Sequence, residues 1–356
     1  DKNNGYKNPR IAIRMDGKST IGEIRGIAKE QNIESNMEKI LDEKLNEFPD
    51  KEKYQKKVSD MKYLTLLEKK QEQGLEFSLE ELKFLYEIDN KIEGFGWKTD
   101  PRITEIKQKR NQKKDLTNIF KVPENESAVK LSEFKENKNI KFLFGNLIWN
   151  EDKVPPSFSK LQVIFGDAYF PFLTNAEGLN SLQNIGGNVA FSFLTSAEGL
   201  NSLQNIGGNA DFFSLTSAKE LNSLRNIGGE AFFDNLTSAK GLESLQNIGG
   251  DAYFYSLISA EGLDSLQHIG KNAYFTRLLN AIGLDSLQII DGAAIFFSLK
   301  SSLGLSKLQK IGETVLFDNL TDASELKSLQ SVGNTTNQYV QKIIEKNNQT
   351  NIKHHH

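Results

Sequence analysis

The chain has 356 residues, 38% of them hydrophobic and 26% charged, with a formal net charge of −3. That length suits two folding units, or one unit beside a repeat array, and the balanced charge supplies no strong field toward nucleic acid or an anionic membrane. There is no cysteine, which excludes disulfides, thiolate metal sites and cysteine nucleophiles.

No apolar run approaches the roughly 18 residues that span a bilayer as a helix. The chain opens at Asp1 rather than Met, which reads as absence of the native N-terminus, and residues 354–356 are three histidines, read as a tag remnant. His268 is then the only internal histidine. A Ser-His-Asp triad, a Cys-His pair and a His-rich metal site are thereby excluded. No cofactor or metal is implied. Localisation stays open between secreted, cell-surface and cytoplasmic.

Residues 1–140 hold 29 Lys+Arg and 27 Asp+Glu, which leaves 15 and 20 of the totals of 44 and 47 for residues 141–356. The composition therefore changes near residues 120–140. Residues 1–120 are expected to form a small hairpin followed by helices. Ile11, Ile13 and Met15 alternate before a turn at Asp16-Gly17, and Ile21 and Ile24 follow. Ser35 and Glu38 have capping-box spacing ahead of Met37, Ile40, Leu41, Leu45 and Phe48. A second helix is expected from near Asp50 to Gly74. A third follows a second capping box at Ser78 and Glu81, and a fourth opens at Asp100-Pro101.

Lys107, Lys109, Arg110, Lys113 and Lys114 make a basic run on that fourth helix. Acidic neighbours balance it, and a solvated helix face explains it better than nucleic-acid binding. Glu80-Glu81 and Glu87 to Asp89 sit beside helix caps and read as polar surface rather than as an acid/base pair.

Residues 121–139 are read as a linker and cap. From residue 140 to 333 the chain repeats with a period of 21. Leu161, Leu182, Leu203, Leu224, Leu245, Leu266, Leu287, Leu308 and Leu329 step through it without an insertion. One phenylalanine recurs in each unit from Phe170 to Phe317, a small residue stands two positions before it, and a leucine three positions after it. A spacing of two puts the small residue and the phenylalanine on one face of a short strand. Stacked units would pile these groups into columns that no single unit could bury. The glycine pairs, such as Gly228-Gly229, are expected to turn the chain with positive φ. A phosphate cradle needs a following helix and lysine, which are missing. About nine rungs at 4.7–4.9 Å give a stack roughly 40–45 Å long. Residues 334–353 are expected to cap its end as a short helix.

The I-G-G-x-A-x-F-x-x-L core resembles the leucine-rich repeat family, and within it the I-G-G units of receptor L domains. The sequence departs from that pattern in three ways. Phenylalanine replaces the second strand leucine, leucine stands where an asparagine ladder is usual, and disulfides are missing. The expected fold is α+β: an α-rich N-terminal domain followed by a leucine-rich-repeat solenoid with a parallel β-sheet face.

Residues flanking the core phenylalanine should point outward on this face, and they vary from unit to unit while the core does not. They include Tyr169, Asp211, Phe213, Phe232, Asp234, Tyr253, Tyr255, Tyr274 and Phe297. An invariant scaffold with a variable aromatic face suits recognition, although outward aromatics also serve simply as good strand formers. Asp211 and Asp234 could orient a partner or accept a cation. The expected function is a non-catalytic interaction module for a protein partner. Two alternatives are a carbohydrate- or surface-binding protein and an enzyme acting through its N-terminal domain. Self-association stays open. His268 replaces an asparagine of the outer coil and is expected to be exposed.

Overall fold

The computed structural model describes residues 11–16, 20–26, 41, 43–95, 99–335 and 337–353. The chain divides into two compact units, Asp1–Lys121 and Val122–His356.

In the first unit, β1 (Ile11–Asp16) and β2 (Thr20–Gly26) form the expected antiparallel hairpin. Ile13, Met15 and Ile24 lean on a small core of Ile21, Leu45 and Tyr54. The Asp50 carboxylate accepts the backbone N–H of Ile21 at 2.8 Å and ties the hairpin to the helix that follows. The expected capping box at Ser35 and Glu38, with Met37 and Ile40, lies outside the described residues, as does Gly17.

Helix α1 (Lys51–Glu72) serves two cores. Tyr54 and Val58 face the hairpin, while Leu64 and Leu67 enter a second core with Phe77, Leu82, Leu85, Ile103, Ile106 and Ile119. Helix α2 (Leu79–Leu85) starts with the predicted reciprocal cap between Ser78 and Glu81. Helix α3 (Pro101–Gln108) starts with proline at its first turn and Asp100 as N-cap. The basic run does not lie on one helix. Helix α3 ends at Gln108, and α4 (Gln112–Phe120) begins after the Asn111 N-cap, so the five cations straddle the junction. Arg110 is held by both oxygens of Asp115 at 2.7 and 2.9 Å, and Lys107 lies 4.0 Å from Glu87. None of the described helices is long and apolar enough to cross a membrane.

The second unit is a parallel β-solenoid of about nine turns. Each turn carries two short strands, shown by Asn226–Ile227 and Ala231–Phe232. Every strand pairs in parallel with its equivalent one turn away, so Asn226 meets Asn205 and Asn247, and Phe232 meets Asp211 and Tyr253. A third side of the turn touches its neighbours through single bridges, such as Ser196 to Ser217 and Ser238 to Ser259. In the last turns the two short strands fuse into Lys310–Leu316, which pairs with Ser331–Thr335.

The core is the set of columns expected from the repeat. The core phenylalanines, one per turn from Phe170 to Phe317, are at most 2% exposed and stack with ring centroids 4.9–5.6 Å apart. Such pairs add about 0.5–1.5 kcal/mol each beyond the burial of their area.

Two local expectations are corrected. The glycine pairs do not use positive φ; among the solenoid glycines, that conformation belongs to Gly145, Gly178, Gly199, Gly241, Gly262, Gly283 and Gly304. The pairs are glycine because successive turns touch there. A Cβ on Gly228 would lie 2.2 Å from the Gly207 carbonyl oxygen, and one on Gly207 2.1 Å from that of Gly186.

The position before each strand isoleucine is not outer coil. It lies in the first strand, and its amides form a ladder: Asn205 donates to Asn184, Asn226 to Asn205 and Asn247 to Asn226 at 2.8–2.9 Å. An asparagine ladder therefore exists, displaced from the place the family resemblance implies. His268 follows in the same column, and its Nε2 lies 2.7 Å from Asp291, whose other oxygen accepts from Lys310 at 3.0 Å.

Residues 122–139, read as a linker and cap, pack with the first turns of the stack. Ser127–Ala128 pairs with Phe142–Leu143, and Phe134 packs edge-on against Phe158 at 5.0 Å. At the other end, the helix Gln338–Lys353 covers the last turn with Val340, Ile343 and Ile344. The Asn347 amide donates to the carbonyls of Leu326 and Leu329 at 3.0 and 2.9 Å.

Candidate functional site

The predicted residues fall in two adjacent columns of the second strand and the turn after it. Tyr169, Asp211, Phe232, Tyr253 and Tyr274 end the short strands and point outward, half-buried. Phe213, Asp234, Tyr255 and Phe297 do not lie on strands. The strand ends one residue before the core phenylalanine, so these four occupy the turn that follows it. The β-pattern extended the strand by two residues more than the chain allows.

The strand column is self-packed in its middle. Phe232 stacks on Tyr253 at 4.8 Å and Tyr253 on Tyr274 at 4.9 Å, with the rings within 10° of parallel. The parallel register forces this, because identical positions in successive turns sit one strand spacing apart. The faces of these rings are largely occupied by one another, and their edges look outward. Burial in the stack, with Asp251 and Glu230 nearby, pushes the Tyr253 phenol up to about 12. The Tyr253 hydroxyl reaches Asp251 at 3.3 Å.

The turn column alternates. Phe213, Tyr255 and Phe297 are 51%, 38% and 40% exposed. Between them sit Asp234 and Thr276, which are half-covered. Tyr255 is propped against Tyr253 and Tyr274, with centroids at 5.7 and 5.5 Å and tilts of 41° and 50°. The stacked strand column thus supports Tyr255.

The two aspartates differ. Asp211 is fully occupied: one oxygen accepts from the Ser192 hydroxyl at 2.6 Å and the other from the Phe213 N–H at 3.0 Å. Asp234 keeps Oδ2 covered and without a hydrogen bond. Loss of water around it, reinforced by the Asp211 charge, raises its carboxyl above the ordinary aspartate value. No group of three or more metal-ligating residues occurs among the described residues.

Sequence reasoning missed part of the surface. Phe172 and Phe193 are 55% and 59% exposed, two residues after their core phenylalanines. Ile258, Leu279, Ile282 and Leu303 add an apolar patch on the bridge-paired side, 41–49% exposed. The signal lay in columns otherwise held by threonine and by Glu or Lys, where these residues interrupt the pattern.

In the first unit, a cleft of about 340 Å³ lies beside Phe77, Lys109, Arg110 and Asp115. Its arginine lies 4.1 Å over the Phe77 ring and is paired with Asp115. Three of the carboxylates of this unit singled out in the sequence are engaged: Glu81 in its cap and with Lys70, Glu87 with the Ile92 N–H, and Asp89 with Lys83; Glu80 is exposed.

No protein-family model matches the chain, and no curated protein matches it at a significant level.

Proposed function

We propose that the chain is a non-catalytic interaction module that holds a protein partner on the outward aromatic columns of its solenoid. The observation that carries this reading is the set Phe213, Tyr255 and Phe297: large, exposed rings repeated on alternate turns of a rigid stack. Apolar rings held open to water cost free energy in the unbound chain, and a partner that covers them recovers it, at about 25 cal/mol per Å² of apolar surface. The support of Tyr255 on Tyr253 and Tyr274 lowers the ordering entropy a partner must offset.

The carbohydrate alternative needs open ring faces. The Phe232–Tyr253–Tyr274 stack offers few, so that alternative rests on the turn column alone. The leucine-rich repeat relationship remains a proposal resting on the I-G-G core. Absence of enzymatic activity is proposed on the exclusion of histidine- and cysteine-based constellations and on the pairing of the charged groups beside the N-terminal cleft.

The test is partner capture by the full chain and by Phe213→Ala/Tyr255→Ala, read by quantitative mass spectrometry. Both side chains are exposed, so the double variant should fold. A protein enriched by wild type and lost from the variant supports the reading; equal enrichment by both moves the function off this face.

A further inference from the structure

Exposed large hydrophobic side chains are unevenly placed on the solenoid. All but Ile148 lie in the columns that run from the turn after the second strand to the bridge-paired side. Their heights in the stack follow from the register of one core phenylalanine per turn. With the Phe170 turn counted as the first, Phe172, Phe193 and Phe213 occupy turns one to three. Tyr255, Ile258, Leu279, Ile282, Phe297 and Leu303 occupy turns five to seven. The fourth turn carries Asp234, Asn235, Thr237 and Lys240 in the same columns and no exposed large hydrophobic residue. Two apolar stretches therefore flank a polar midpoint.

The area involved is that of an interface. The nine side chains are 38–59% exposed. With about 150–250 Å² for a large side chain fully buried, they leave roughly 600–1,000 Å² uncovered. The largest apolar patch of a typical monomer is about 300–600 Å², and a standard interface takes about 800 Å² from each partner.

The charges in these columns are arranged in complementary order. From turn one to turn seven they are Glu177, Glu198, Lys219, then Asp234 and Lys240 at the midpoint, then Glu261, Arg277 and Lys300. The outer six are exposed. Read from the midpoint outward, one half runs positive, negative, negative and the other negative, positive, positive. Among the described residues, the ion pairs of the solenoid are Lys141–Glu126, Lys240–Glu261, His268–Asp291, Lys310–Asp291 and Lys327–Glu325. Of the outer six, only Glu261 therefore has an ion-pair partner within its own chain.

A two-fold axis through the fourth turn, perpendicular to the stack, lays turn one of one copy against turn seven of the other, two against six and three against five. Glu177 then comes level with Lys300, Glu198 with Arg277 and Lys219 with Glu261, each twice. The first apolar stretch of each copy comes level with the second stretch of the other. A parallel pairing would instead set each charge against its own sign, which disfavours it. At the midpoint each Lys240 keeps Glu261 at 3.3 Å as its counter-ion.

Resting on the reading of this side of the solenoid as a protein-binding surface, we propose that its partner is a second copy of the chain, paired antiparallel about the fourth turn.

The test is sedimentation velocity on the full chain from low to high micromolar concentration, where interfaces of this size associate. The expected species is a dimer. Glu198→Lys alone and Arg277→Glu alone should each weaken it by about tenfold or more. The two changes combined in one chain should restore it. An equimolar mixture of the two single variants should restore it as well, because each altered position then faces its opposite charge in the other chain. Within one chain Glu198 and Arg277 lie four turns, about 19 Å, apart, so recovery cannot arise inside a monomer. Leu279→Ser/Ile282→Ser should dissociate the dimer, and Lys307→Glu, an exposed charge outside these columns, should leave it unchanged. Circular dichroism checks that each variant is folded.

A monomer at every concentration overturns the proposal. So does a dimer indifferent to the single charge changes or to Leu279→Ser/Ile282→Ser, equal weakening by Lys307→Glu, or failure of the combined variant and of the mixture to recover it. These failures are separable from failure of the broader reading. If the chain is monomeric and capture of another protein still depends on Phe213 and Tyr255, the surface binds that protein and only the self-pairing falls.

Discussion

At the scale of single residues, the glycines show how strongly the stack restricts its sequence. Gly228 faces a carbonyl of the preceding turn at a distance no Cβ tolerates, so Gly228→Ala must spread two turns. We expect a loss of about 1–3 kcal/mol, measured by urea unfolding, although φ at this position is not in the left-handed region. Gly241 combines a φ of +104° with a Cβ position 2.0 Å from the Ala218 carbonyl oxygen, and Gly241→Ala should cost at least as much. Glu220 fills the equivalent place one turn earlier without positive φ, so that turn is built differently.

Asp291 supplies a pH signature at the same scale. Its carboxyl is held below the ordinary aspartate value by hydrogen bonds from His268 and Lys310. A depressed folded-state pKa means stability that is present above the unfolded value and lost as pH falls through the folded one. The increment should therefore be present at neutral pH and absent in strong acid. It should be smaller than about 1 kcal/mol, because the group is exposed, and Asp291→Asn should abolish it. Urea midpoints of the two chains, compared at pH 7 and in strong acid, check this.

At the scale of elements, legibility tracked how local the determining physics was. The cap at Ser78 and Glu81 and the Pro101 helix start were readable because each is closed within three residues. The core columns were readable because a period of 21 repeats the same burial requirement in every turn. The glycine pairs were misread because their constraint comes from the neighbouring turn and is invisible within one unit. The asparagine ladder was missed for the same reason: an amide ladder needs the next copy of itself as partner.

The candidate site was half legible. Variation against an invariant core picked out its columns. The support of Tyr255 by Tyr253 and Tyr274, the orphan oxygen of Asp234 and the exposed Phe172 and Phe193 required coordinates. The C-terminal helix makes its own prediction. Asn347→Ala leaves the Leu326 and Leu329 carbonyls without those donors. The expected cost is about 1–3 kcal/mol, with faster hydrogen exchange confined to the last turns, as quasi-one-dimensional stacks allow.

At the scale of the whole solenoid, stability is a sum over neighbouring turns, and the proposed partner surface is a by-product of the same register. Columns that must be identical build the core; the two columns beside them are free to differ and carry the rings and charges. Because the register is 21, deleting residues 195–215 should leave a shorter folded stack with a joint in phase. Deleting 201–210 should break the columns. Thermal unfolding followed by circular dichroism distinguishes the two. A shortened stack as unstable as the out-of-phase chain would contradict additive turns.

The measurement that bears most directly on the central claim is quantitative partner capture with the wild-type chain and the folded Phe213→Ala/Tyr255→Ala variant side by side. The account predicts a protein retained by the first and depleted at least tenfold from the second, with unfolding midpoints within about 1 kcal/mol of each other, as surface substitutions allow. Equal retention by both chains would contradict it and leave the exposed aromatic column without a role in binding.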